Sequence, residues 1–496
     1  MRTSLSIVLG LACCAAAAQS ASADVITDWD TVLINAVKTD TGNPATTMPG
    51  PGWASRNMAM VASAMGDAVD NAASSFSFTP YAYSHLTPTA SPTAAAAQAA
   101  HDVLVNLYPA QQSTLDAALN NSLAGISGPA LADGKALGAA VASAIVARRA
   151  NDGSSVSVSY TPQPGLDHYQ LQPGQTAWGP NWGSVTPFIL SSAQKTDNAN
   201  LIAARIDALV PGATSLTSTM FLSSSAFANA FNQVMLLGAA TGSTRTQAQT
   251  NIGYFWGYDV GNLGPPPILY NQIVQTIANQ QHNTVAQNAR LFALANLAMA
   301  DAGIVCWQSK YTYDFFRPIT AAQEGLQLAA INPGITNVNT SWTPLGAPNG
   351  IIGSTTRPND NPFTPPFPSF TSGHASFGGA LFSTLADFYG TDNMNFTLTS
   401  DNIPGVMESF TKFSDAAAQN AESRIYLGIH WQFDADIGVA SGDMVGNDVF
   451  GSAMLSVPEP STFVLAALGL LGFLAYARRR GSWAEKARAK PSATGV

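Results

Sequence analysis

"ARLFALANLAMADAGIVCWQSKYTYDFF", residues 289–316, is a long run of apolar residues at helical spacing, closed by Pro318. Proline drives the residue before it out of the α region, so a helix that reaches this point has to stop. Working outward, similar patterns recur on both sides. Residues 53–72 place Met58, Val61, Ala62, Met65 and Val69 on one stripe, and the two methionines read as core filler. The alanine-rich stretches 94–107 and 113–126 are split by Pro109, and 134–150, 200–209, 224–240, 372–389 and 403–427 are further candidate helices. Residues 154–187 are rich in glycine, proline and tryptophan and read as irregular, with Ser/Val alternation at 154–160 suggesting one short strand. Residues 332–366 read as a long loop, and loops of that length in compact domains usually carry function. No internal repeat is visible. The reading is all-α: an N-terminal helical half, residues 24–250, and a C-terminal half, 251–456, that carries the chemistry.

Composition fits that picture. The 496 residues suffice for two or three cores; 46% are hydrophobic and only 10% charged, with a mean hydropathy of +0.09, against about 25% charged in an average soluble domain. The start, MRTSLSIVLGLACCAAAAQSASA, residues 1–23, reads as a secretory signal: Arg2, a short apolar stretch, then Ala21-Ser22-Ala23 before Asp24. Cys13 and Cys14 would leave with it. Cys306 then remains without a partner for an internal disulfide and reads as a buried thiol.

At the other end Val457-Pro458-Glu459-Pro460 precedes an apolar stretch, residues 463–477, and then Arg478, Arg479 and Arg480. The arginines belong on the cytoplasmic side and the body outside. The segment 457–480 resembles the PEP-CTERM sorting signal of Gram-negative bacteria. That resemblance implies transient anchoring in the inner membrane by this span, processing by an exosortase, and delivery to the cell surface or extracellular matrix. A basic tail, residues 481–496, follows and is a departure from the pattern. The whole chain has a formal charge of −9; removing Arg2 with the leader, and six basic and two acidic residues with the tail, leaves 14 basic and 28 acidic residues, a charge of −14. Nucleic acid and anionic membrane surfaces are excluded as partners of such a body.

Basic residues are therefore scarce, and their positions carry information. Lys310 and Arg317 are seven apart, which on one continuous helix puts both on one face. Ser372-Gly373-His374 stands at the start of the candidate helix 372–389, where unpaired N–H groups can hold an anion. Arg424 precedes His430 by six residues, and Asp434 lies one turn beyond the histidine. Singly these are a solvated face, an N-cap serine and a structural histidine. Together they suit a tetrahedral oxyanion, with three cations to neutralise it, a hydroxyl and an amide to cradle it, one imidazole to ligate or attack its central atom and another to move protons. Asp434 would orient His430.

Lys310-x6-Arg317-Pro318, Ser372-Gly373-His374 and Ser423-Arg424-x5-His430-x3-Asp434 resemble the three-part signature shared by vanadium-dependent haloperoxidases and the phosphatidic acid phosphatase type 2 superfamily. "ADAGIVCWQSKYTYDFFRP" and "TPPFPSFTSGHASFGGALF" are similar to the matching stretches of vanadium chloroperoxidases, and "GWASRNMAMVASAMGDAVDNA" and "STRTQAQTNIGYFW" to bacterial relatives. The resemblance implies a nearly all-helical fold with two four-helix bundles and vanadate as cofactor. It implies equatorial oxygens held by Lys310, Arg317, Arg424, Ser372 and Gly373, with His430 as axial vanadium ligand, His374 as the acid–base group and Lys310 also polarising a peroxide oxygen. Trp307 and Phe367 match aromatic positions on the halide side of the chloroperoxidase pocket, although ordinary packing serves equally well. Thr371 stands where the motif has proline, which is expected to loosen the turn before Ser372.

The substrates so implied are hydrogen peroxide and a halide, with hypohalous acid as product. The same cradle also suits an acid phosphatase working through a phosphohistidine at His430, and a third possibility is an inactive surface or matrix structural protein. Arg357, in the long loop, is a candidate fourth charge, and Asp434 with Asp436 a weak candidate for a divalent metal.

Overall fold

The computed structural model describes residues 24–259, 263–457, 468–473 and 476. The leader 1–23, most of the span 457–480 and the tail 481–496 lie outside the described residues.

The chain is helical, with one small hairpin. The first five helices are α1 (Val25–Thr41), α2 (Gly50–Asn71), α3 (Pro92–Leu107), α4 (Gln112–Leu123) and α5 (Gly128–Arg149). After an irregular stretch come α6 (Ser192–Leu209), α7 (Thr219–Leu222), α8 (Ser225–Leu237), α9 (Gln247–Phe255) and α10 (Pro267–Gln280). The long α11 (Val285–Tyr313), the short α12 (Pro318–Gln323) and α13 (Gly325–Ile331), and then α14 (Gly373–Tyr389) lead into the hairpin β1 (Asn393–Thr399) and β2 (Met407–Lys412). Helices α15 (Phe413–Tyr426) and α16 (Gln432–Ser452) close the fold.

Helix α11 is the axis of the molecule. Thr284 and Gln287 form a reciprocal capping box at its start, satisfying two orphan N–H groups. From Ala289 to Trp307 nearly every side chain is buried. It packs on α2 and α14 and also meets α16. Met58 and Met65 of α2 are fully buried, as core filler should be. The largest apolar cluster runs from Val25 to Met454 and draws on both halves of the chain. By length and composition two helices among the described residues, Gly128–Arg149 and Val285–Tyr313, could cross a membrane; the second lies inside this core.

Helices α14 and α16 touch backbone to backbone. A Cβ at Gly379 would stand 2.5 Å from the Val439 carbonyl oxygen, and one at Gly442 would stand 2.2 Å from that of Ser376. Only glycine permits this approach. It brings the start of α14 beside the start of α16, where the candidate residues sit.

Several expectations need correction. Residues 154–160 begin in a turn, closed by Val156 N–H donating to the Gly153 carbonyl, and continue as irregular chain with no strand. The helix expected over 403–427 begins only at Phe413, because 407–412 pair with β1 in the register Phe396↔Phe410. Helices α1, α10 and α16 have no counterpart in the sequence reading; α16 carries four glycines and four aspartates, poor helix formers, and is held by its contact with α14. Lys310 and Arg317 do not share a helix. Helix α11 stops at Tyr313, Asp314 takes a left-handed φ of 48°, and Arg317 is the N-cap of α12, with Pro318 at its first position.

Candidate functional site

Four elements converge: the end of α11, the start of α12, the start of α14, and the turn between α15 and α16. A second apolar cluster, built of Phe227, Phe315, Phe316, Trp431 and Phe433 among others, backs the site. Trp431 Nε1 donates to the Phe316 carbonyl at 3.0 Å, tying the residue beside His430 to the residue beside Arg317.

His430 is buried and bracketed. Its Nδ1 is 2.9 Å from Asp434 Oδ2, the relation expected of residues one turn apart. On the other side Arg317 Nη1 lies 3.0 Å from Nε2. A guanidinium can only donate, so Nε2 carries the lone pair and Nδ1 the hydrogen that Asp434 accepts. Burial holds the His430 pKa well below the usual histidine value, and Arg317 and Lys310 push the same way. Asp434 is raised, chiefly by burial, against the pull of Lys310 and Arg317.

His374, the second residue of α14, points Nε2 at the Gly257 carbonyl, 2.8 Å away. Its pKa is also well below the usual value, through burial and then Arg424. The neutral ring therefore keeps its hydrogen on Nε2 and leaves Nδ1 as a base. Ser372 caps α14, its Oγ accepting from Ala375 N at 3.5 Å. Its own N–H donates to the Asp434 carbonyl at 3.0 Å. The Gly373 position faces Trp307, whose ring a Cβ would meet at 3.4 Å. A small deep pocket is lined by Gly373, His374, Arg424 and His430 together with Trp307 and Phe367. The Trp307 and Phe367 rings are 5.0 Å apart, and Lys310 Nζ and the Arg317 guanidinium lie 4.9 and 5.0 Å from the Phe367 ring.

The arginines decide what this pocket can hold. Arg317 is fully buried and donates from Nε to the Phe367 carbonyl (2.9 Å) and from Nη1 to that of Ile429 (2.7 Å). Its Nη2 has no acceptor among the described residues, and neither Nε nor Nη1 of Arg424 has one. Three buried cationic N–H nitrogens without acceptors are costly. They fit an oxyanion with several equatorial oxygens, and the lone pair at His430 Nε2 adds a ligand for its central atom.

One residue departs from its expected role, and another was given none. Lys310 Nζ donates to the carbonyls of Pro368, Ser369 and Thr371 at 2.9, 2.9 and 2.6 Å, which takes all three of its hydrogens. In this arrangement it clamps the turn before Ser372 and lends the cradle its charge instead of a free hydrogen. Burial lowers its pKa, while the three carbonyl acceptors favour the ammonium form. The clamp also answers the loosening expected from Thr371, which is fully buried and whose hydroxyl contacts the buried free thiol of Cys306. Asp259 is the residue that sequence reasoning missed. Its Oδ2 pairs with Arg424 Nη2 at 2.8 Å, and burial raises its pKa against the pull of Arg424. A lone acid within the aromatic stretch "YFWGYD", residues 254–259, was the available signal. Arg357 does not line the deep pocket. Asp436 meets Gln432 on the outer face, and no group of three metal-ligating side chains exists among the described residues.

Comparison with known proteins bears on the fold. Residues 290–457 match a family described as the second helical-bundle domain of VCPO, and residues 456–480 match the PEP-CTERM protein-sorting motif. The structure of the first bacterial vanadium-dependent iodoperoxidase superimposes with a TM-score of 0.66 at 24% identity, over 87% of this chain and 97% of that one. The fold is that of the vanadium-dependent haloperoxidases. A holo-type bacterial vanadium-dependent chloroperoxidase superimposes with a TM-score of 0.60 at 16% identity, over 84% of this chain and 95% of that one. In sequence, the chain is 35% identical over 244 residues to the vanadium chloroperoxidase of Curvularia inaequalis, which is 40% of this chain and 38% of that protein. The match thus spans about two fifths of that relative's length.

Proposed function

We propose that the chain is a vanadate-dependent haloperoxidase that oxidises halide with hydrogen peroxide to hypohalous acid. The observation that carries the reading is the set of three buried guanidinium nitrogens without acceptors beside the Nε2 lone pair of His430. Arg317 Nη2, Arg424 Nε and Nη1, the Ser372 hydroxyl and the amides at the start of α14 would hold vanadate oxygens, and His430 Nε2 would ligate the metal. Bound there, vanadate supplies a Lewis-acid centre for activating peroxide.

The chain's own groups then have defined tasks. Asp434 keeps the His430 hydrogen on Nδ1 and so keeps Nε2 free to ligate. His374 Nδ1 takes a proton from incoming peroxide and can return it, since Gly257 fixes the tautomer. Arg317, Arg424 and the Lys310 charge offset the negative charge that accumulates on oxygen. Trp307 and Phe367 form an apolar wall that strips water from a halide. The sorting motif supports export, transient membrane anchoring, exosortase processing and final placement at the cell surface or in the matrix.

The test uses the purified chain with orthovanadate, peroxide and chloride, bromide or iodide, beside an aryl-phosphate hydrolysis assay. Halogenation that requires vanadate and disappears in His430→Ala supports the reading. Phosphate release without halogenation replaces it with the phosphatase, and neither activity points to a structural protein.

A further inference from the structure

Outside the anion cradle a second cavity, of about 250 Å³, opens toward the surface near the exposed Pro49. It shares Pro51, Asp259, Pro365 and Phe367 with the deep pocket, so the two adjoin along those residues. Its walls are mostly prolines and aromatic rings, and among the described residues lining it there is no lysine, arginine or histidine.

The walls are fixed. Trp178 donates its backbone N–H to the Pro366 carbonyl at 2.9 Å and accepts the Tyr311 hydroxyl on its own carbonyl. Its ring packs at 5.0 Å against Trp307 and at 6.3 Å against Phe367. Rigid proline and indole surfaces recognise flat apolar ligands at little entropic cost. The Thr41 and Thr46 hydroxyls on this lining already donate, to the Val37 carbonyl and to Asp40, and one charged group stands among the walls. Asp259 uses Oδ2 for Arg424, while Oδ1 carries no hydrogen bond among the described residues.

We propose that this outer cavity binds the organic acceptor of the halogenation, a small neutral aromatic bearing a hydroxyl or N–H that donates to Asp259 Oδ1. The volume falls just below the range for drug-sized ligands, which limits the occupant to one or two fused rings. An anionic acceptor would meet a carboxylate and no cation. The halogenation step rests on the peroxidase reading, which supplies the hypohalous acid. An aromatic carbon–hydrogen bond is replaced by a carbon–halogen bond, the oxygen–halogen bond breaks, and the displaced proton leaves with hydroxide as water. Seated at the shared wall, the ring meets the oxidant as it leaves the deep pocket.

The test separates binding from catalysis. Equilibrium dialysis of the full chain, without vanadate or peroxide, measures 2-naphthol, 2-methoxynaphthalene, which lacks the donor, and 2-naphthoate, which is anionic. The expected result is saturable 1:1 binding of 2-naphthol, with the other two at least ten-fold weaker. Thr46→Trp and Thr41→Phe, two separate fillings of the cavity from outside the cradle, each weaken 2-naphthol at least ten-fold while the melting temperature holds. Absence of saturable binding, equal affinity for the three probes, or indifference to both fillings overturns the proposal. Iodide oxidation by the vanadate-loaded chain, with no organic acceptor present, reports on the peroxidase reading alone. Naphthol binding without iodide oxidation leaves the site standing and overturns its assignment as a halogen acceptor site. Iodide oxidation without naphthol binding does the reverse.

Discussion

The protein buries two pairs of arginines, and they are treated differently. On α2, Arg56 donates to Asp152, Asn57 and the Arg149 carbonyl. Arg149 donates to Asp152 and to the carbonyls of Pro187 and Thr186, with its guanidinium 3.8 Å from the Phe188 ring centroid. Every guanidinium nitrogen there has an acceptor. Arg317 and Arg424, equally buried, leave three nitrogens without one among the described residues. Buried charge that serves architecture is closed by its neighbours, whereas buried charge left open is kept for a ligand. The histidines divide in the same way. His101 lies between Asp102 and Asp116 at 2.7 and 2.8 Å, and these partners raise its pKa. His374 and His430 are held well below the usual value among cations.

The largest effect that sharpens this contrast is in Arg424→Met. It removes two charge-assisted hydrogen bonds to the anion, about 3–6 kcal/mol or a hundred-fold or more in vanadate affinity. Denaturant unfolding without vanadate should change less, because two of the three lost nitrogens lacked acceptors and the third served Asp259, which keeps some contact with solvent. Arg149→Met should behave oppositely, costing about 3–5 kcal/mol of stability by opening a buried ion pair and leaving vanadate affinity of the folded protein unchanged. If both variants lose stability equally, the distinction fails.

A middle-sized effect is expected from Asp434→Asn. An amide in place of the acceptor no longer fixes the His430 tautomer, and vanadate affinity should drop about 10- to 100-fold, measured by titration with the fold intact.

The smallest concerns His101. Because its folded pKa is raised, its contribution is fully present below about pH 6.5 and is lost as pH rises through the folded value. His101→Asn should therefore destabilise the protein at pH 6 by about 1 kcal/mol at most, given the exposure of Asp116, and by less at pH 9. An equal loss at both pH values would show that the ring acts by packing against Trp29 alone.

How much of this was legible in sequence follows from the range of each signal. Helical periodicity located α2, α3, α5, α11 and α14, whose buried faces are apolar. It failed for α16, where glycines serve a close helix contact that only the partner helix explains. Scarcity of basic residues pointed to Lys310, Arg317 and Arg424, but their geometry was misread for the first two. A left-handed residue at Asp314 breaks the helix between them, and the pair converges through the 315–317 turn instead. Asp259 was missed because its partner lies 165 residues away, and the lone acid in its aromatic stretch was the one trace it left. The clamp of Lys310 on the 368–371 turn was hidden likewise, since backbone carbonyls leave no trace in side-chain identity.

The central claim is that these buried cations, and the Nε2 lone pair of His430 that Arg317 holds meanwhile, are kept for a single oxyanion. Calorimetric titration of the full chain with orthovanadate, beside Arg424→Met and Arg149→Met, tests it most directly. The account predicts one vanadate per chain, binding weakened a hundred-fold or more in Arg424→Met, and wild-type affinity in folded Arg149→Met. No saturable binding by the wild type, or equal affinity in wild type and Arg424→Met, would contradict it.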